Sequence, residues 1–87
     1  MKAVRIHQYG GPEVLVYEEI PRPAPGPAQV LVRVEAASVN PIDVSVRENR
    51  FSTPKPPPKT IGSDGAGVVE SVGVEVRSVH EGQRVFF

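Results

Sequence analysis

At 87 residues the chain is one domain at most, and it hides only roughly 60–70% of its unfolded surface, which leaves a thin margin of stability. Ten Lys and Arg cancel ten Asp and Glu, so the charge points to neither nucleic acid nor an anionic membrane as a partner. There is no Cys, which excludes a disulfide framework and thiolate metal sites and fits a reducing compartment.

Met1 runs straight into "KAVRIHQ". With no signal peptide pattern and no apolar run near the roughly 18 residues of a membrane span, the expected location is cytoplasmic. Lys2 to His7 alternates, Val4 and Ile6 on one face and Arg5 and His7 on the other, and reads as a strand. "QYGGPEV" is a turn, and Leu15 to Ile20 is a second strand. Pro21 to Ala28 holds four prolines in eight residues, an extended connector that cannot donate to a sheet.

Gln29 to Val39 is the longest strand candidate, with Val30, Val32, Val34 and Ala36 on one face and Arg33 and Glu35 on the other. The stretch "SVNPIDVS", residues 38–45, then opens a short helix. Asn40 is the N-cap, Pro41 takes the first helical position and Asp43 puts a negative charge in the first turn. The helix should end near Asn49. "RFSTPKPPPKT" is a second proline-rich loop, Gly62 to Gly73 a glycine-studded strand, and a turn at Gly82 leads to a strand beginning near Arg84. Short strands between Pro/Gly turns, with one short helix, predict a mainly β domain, a small β-barrel or sandwich. The chain stops on Val85-Phe86-Phe87 as if in mid-strand, so an open strand edge and exposed apolar groups are expected there.

Several features admit a plain reading. Asn40 serves as a simple helix cap whatever else it does. "GSDGAG" has the wrong spacing for a phosphate cradle and no helix after it; glycines that let strands approach closely explain it better. Asp64 reads as a turn or ion-pair residue, and His7 and His80 as isolated surface residues. "PKPPPK" (Pro54 to Lys59) fits the pattern that docks on SH3 grooves, or simply a rigid loop at the rim of a site.

Four motifs in order, "GGPEVL", "VNPIDVSVR", "GSDGAGVVESVG" and "EGQRVF", make the chain resemble the quinone oxidoreductase and zeta-crystallin branch of the medium-chain dehydrogenase/reductase superfamily. The resemblance spans essentially all 87 residues. It implies a GroES-like, partly open β-barrel with one short helix. Residues 1–87 would be the N-terminal part of the catalytic domain of an NADPH-dependent reductase, with the Rossmann domain absent from this stretch. Zinc alcohol dehydrogenases of the superfamily carry Cys where Asn40 stands and His where Ser63 stands. An amide and a hydroxyl are poor zinc ligands, which leaves Asp64 alone, and one carboxylate does not hold zinc. The resemblance therefore implies a zinc-independent enzyme whose substrate accepts hydride easily, a quinone or an α,β-unsaturated carbonyl.

By the same resemblance Asn40 is the catalytic residue, beside the nicotinamide ribose and the substrate, and Asn40, Pro41 and Ile42 bind the cofactor. Asp43, Ser45, Phe51, Ser63 and Asp64 line the substrate pocket. Relatives often carry Tyr where Ser45 stands, so a phenolic proton donor is lost here. The parent enzyme is expected to be a cytoplasmic homodimer with no nucleic-acid or membrane partner. The alternative is a stand-alone GroES-like β-barrel interaction module that works through its proline-rich loops. Downstream sequence reading as strand, glycine-rich turn and helix would decide for the enzyme.

Overall fold

Because the chain repeatedly alternates β-branched and polar residues between Pro/Gly breaks, it forms short antiparallel strands. The computed structural model describes residues 1–51 and 55–87. The strands are β1 (Lys2–Ile6), β2 (Leu15–Glu19), β3 (Val30–Ala37), β4 (Lys59–Thr60), β5 (Gly65–Val72) and β6 (Arg84–Phe86); the helix α1 spans Pro41–Arg47. They make two three-stranded sheets, ordered β2-β1-β4 and β3-β5-β6. Two compact units result, Met1–Pro21 with Val39–Ser63 and Arg22–Ser38 with Asp64–Phe87.

In the first unit β1 pairs with β2 in the register Val4↔Tyr17 and Ile6↔Leu15. A single 3-10 turn, Pro12–Val14, joins them. Ile6, fully buried, and Val14, 7% exposed, form the core here, whereas Val4 stays 43% exposed; the predicted apolar face of β1 is covered only at its end. Among its polar groups, His7 Nε2 lies 2.6 Å from Glu18 Oε1. The strand β4 falls inside the stretch expected to be loop. Prolines cannot donate to a ladder, but Lys59 and Thr60 follow the last of them and pair with Ile6 and Arg5. The Pro-x-x-Pro segment begins at Pro54, outside the described residues, and its final Lys59 belongs to this strand.

The helix obeys local chemistry at both ends. Asn40 has extended backbone (φ −123°, ψ 158°) at the N-cap, and Pro41 follows at the first helical position. The C-terminal end is a Schellman motif: Asn49 N–H donates to the Val46 carbonyl (3.1 Å) and Arg50 N–H to that of Ser45 (2.8 Å). Asn49 sits at φ 59°, a left-handed conformation that a β-branched side chain resists at a cost of roughly 1–2 kcal/mol. Asn49→Val should therefore lower the melting temperature by about 4–16 °C, at 4–8 °C per kcal/mol for a domain of this size, while Asn49→Gly should not lower it. Thermal denaturation of the two variants checks this.

In the second unit β3 and β5 pair through two irregularities that cancel. The register runs Leu31↔Ser71, then Val32↔Val69 to Val34↔Gly67, then Ala36↔Ala66. Glu70 is thus the extra residue on β5 and Glu35 the extra residue on β3. Val30, Val32 and Val34 keep the predicted stripe and line a groove of about 430 Å³ with Val79 and Val85. Ala36 does not: the bulge at Glu35 turns it out of the stripe and into a second groove. Val69, 2% exposed, is the core of this sheet. The proline connector contributes acceptors where it lacks donors, and the Pro27 carbonyl takes the Glu75 N–H at 2.9 Å. Arg22 pairs with Glu70 at the bulge. Phe86 and Phe87 at the end of β6 are 88% and 57% exposed, the open apolar edge expected there.

Candidate active site

The start of α1 is fixed by a reciprocal contact between Asn40 and Asp43. Asn40 N–H donates to Asp43 Oδ2 (2.9 Å), and Asp43 N–H donates to the Asn40 carbonyl (2.9 Å). This supplies the acidic half of a capping box, with Asp43 at the third helical position. Asp43 is buried, at 9% exposure, which is uncommon for a carboxylate and is made tolerable by hydrogen bonding. Its carboxylate therefore holds the backbone of Asn40.

Asn40 itself is half-buried, whereas Pro41 and Ile42 are exposed. Ser45, half-buried, lies three residues beyond Ile42 and four beyond Pro41, the two spacings that share a helix face. One amide, two apolar groups and one hydroxyl are thus collected at the first turns of α1. Phe51, 49% exposed, and Ser63, exposed, belong to the same unit as this helix.

Asp64 lies in the other unit, where Ser38 Oγ donates to Asp64 Oδ2 at 3.0 Å. The pair borders the second groove, about 370 Å³, with Ala36, Ala37, Gly65 and Ala66 as small walls. Sequence reasoning missed Ser38. Its partner is 26 residues away, and only the Ala37↔Gly65 pairing brings the two strand ends together. Among the described residues no three His, Cys, Asp or Glu side chains gather as a metal site would need.

Two small antiparallel sheets, a long bulged strand and a capped helix directly after it define a GroES-like domain of the alcohol dehydrogenase type. Residues 26–87 match the family described as "Alcohol dehydrogenase GroES-like domain", and the chain belongs to that family. Within it, the chain is 44% identical over 87 residues to the quinone oxidoreductase of Rattus norvegicus, covering 99% of this chain and 26% of that protein. It is 39% identical over 85 residues to an alcohol dehydrogenase of Rhizobium meliloti, covering 98% and 24%. Its fold matches that of the Escherichia coli quinone oxidoreductase complexed with NADPH at a TM-score of 0.94 and 31% identity, covering 100% of this chain and 26% of the other. The chain spans about a quarter of the length of these relatives and is homologous to the N-terminal domain of quinone oxidoreductases. The GroES-like fold expected from the sequence is the fold observed.

Proposed function

We propose that this chain is the catalytic-domain portion of a zinc-independent, NADPH-dependent reductase acting on a quinone or an α,β-unsaturated carbonyl. The observation that carries the reading is the build of the α1 start: a half-buried amide with its backbone held by Asp43, beside exposed Pro41 and Ile42. That combination fits a nicotinamide and its ribose, since an amide both donates and accepts and the two apolar groups offer a surface for the ring. When bound, the cofactor supplies the hydride.

The chain's own residues have distinct parts in this reading. Asn40 orients the cofactor and substrate and donates a hydrogen bond to the oxygen that gains charge. Pro41 and Ile42 contact the cofactor, and Asp43 holds Asn40 in place. Ser45, Phe51 and Ser63 shape the substrate pocket, Ser45 offering a hydroxyl but no phenol. In this reading a separate dinucleotide-binding domain would carry most of the cofactor contacts. The parent protein is taken as a cytoplasmic homodimer; no helix among the described residues is long and apolar enough to cross a membrane.

Zinc does not fit. The positions occupied by Cys and His in the zinc enzymes hold Asn40 and Ser63 here, and neither is a zinc ligand of consequence. Elemental analysis of desalted protein should find zinc far below one equivalent; near-stoichiometric zinc would overturn this part of the reading.

The activity test compares the chain alone with a fusion in which it replaces the matching quarter of the rat quinone oxidoreductase. The fusion should oxidise NADPH with a quinone or enone. The chain alone should not, because one wall of a cleft cannot place a hydride donor against its acceptor. A folded fusion without activity toward either substrate class would sink the proposal.

A further inference from the structure

The end of α1 remote from Asn40 is tied to the turn after β1 by two reciprocal hydrogen bonds. Gly10 N–H donates to the Arg47 carbonyl at 3.0 Å, and Arg47 Nε–H donates to the Gly10 carbonyl at 3.1 Å in a partly buried setting. The tie matters because, among the described residues, the helix has little buried apolar surface to anchor it. Seven residues are too few to hold a helix by its own hydrogen bonds. The sole buried residue of α1 is Asp43, near its start, so deep apolar packing does not fix the far end.

Gly10 is a firm place to grip. A Cβ there would meet Val14 Cγ1 at 2.8 Å, and Val14 is core. Contacts therefore run from Val14 to Gly10, to Arg47, and along the helix to Asn40. Arginine suits the post: its Nε–H points in a fixed direction from a planar group, and its charge is favourable in the last turn of a helix.

We propose that Arg47 is a positioning residue for the Asn40 site. By gripping the Gly10 carbonyl it fixes the axis of α1 and, through about 10 Å of helix, the place of the Asn40 amide. Its effect on turnover rests on the function proposed above; its effect on the helix does not. A lysine keeps the charge but loses the fixed Nε–H, and a leucine loses both.

The test is amide hydrogen exchange by NMR on the 15N-labelled chain with Arg47→Lys and Arg47→Leu. The Gly10 and Asn40 amides should both exchange at least about tenfold faster, more in the leucine variant, while amides of the β1–β2 ladder hold. Should Arg47→Leu fail to fold, the lysine variant decides alone. Faster exchange at Gly10 with Asn40 unchanged would overturn the proposal and leave only a local tether. In the fusion enzyme, Arg47→Lys should lower kcat/KM about tenfold, since small misplacements at a reacting centre are costly. Full turnover in Arg47→Lys, with Asn40→Asp still slow, would overturn the catalytic part. If Asn40→Asp itself keeps full turnover, the Asn40 reading is what fails, and the exchange data still decide the role of Arg47 in the helix.

Discussion

Gly67→Ala is expected to break the β3-β5-β6 sheet, with a loss of about 3 kcal/mol, the upper end of the usual range for overpacking. A Cβ at this position would lie 2.0 Å from the Arg33 carbonyl oxygen, 2.9 Å from its carbon and 3.0 Å from Val34 Cα. All three atoms are backbone, so no rotamer change relieves the clash. Gly67 pairs with Val34 immediately before the bulge at Glu35, and β5 also pairs with β6 through Gly67↔Val85. Moving the strand away from β3 would disturb ladders on both sides.

Three kcal/mol is a large share of the roughly 5–15 kcal/mol that keeps a domain folded. The melting temperature should fall by about 12–24 °C, at 4–8 °C per kcal/mol, or the cooperative transition should vanish. Circular dichroism against temperature reads this directly. A variant melting within about 5 °C of the parent, the effect of roughly 1 kcal/mol, would show that the strands have room to spare.

That glycine illustrates which features were legible in the sequence. "GSDGAG" called for close backbone approach, and Gly67 against Arg33 provides it. The helix was readable because its signals are local: an N-cap, a proline at the first position, an acid in the first turn, and an end near Asn49. Long-range pairing was not readable. The bulge at Glu35 depends on how β5 is aligned, so simple alternation left Ala36 on the valine stripe. Strand β4 was hidden by the prolines before it, because its existence depends on β1 offering partners at Arg5 and Ile6. Ser38 and Asp64 meet for the same reason, across a register that neither residue advertises.

Asp43 shows the same limit within four residues of sequence. Its charge at a helix start and its bond to the Asn40 N–H follow from capping-box spacing, but its burial does not. A contact of this kind changes what a substitution at the neighbouring position does. From sequence alone, Asn40→Asp keeps the cap and should be neutral for stability, since Asp caps helices as well as Asn does. With the Asp43 carboxylate already bonded to the backbone of residue 40, a second carboxylate at this turn meets a like charge.

Asn40→Asp should therefore cost about 0.5 kcal/mol, the size of a close like-charge pair on a helix, and lower the melting temperature by roughly 2–4 °C. Asn40→Ala should cost about 1 kcal/mol through the lost cap. The effect on turnover should be far larger. A quinone or enone that accepts hydride develops negative charge on oxygen, and the substitution replaces a neutral donor and acceptor with an anion that only accepts. Loss of a single such donor typically costs 10²–10³-fold, so kcat/KM of the fusion enzyme should fall by about 10²-fold or more. Asn40→Ser separates the two effects: it keeps a capping oxygen without adding charge, so its stability should hold while turnover falls less than in the aspartate variant. Melting curves and steady-state kinetics on the three variants supply the comparison. If Asn40→Asp retains full turnover with NADPH and a quinone, the amide has no part in the chemistry, and Asn40 is a helix cap alone.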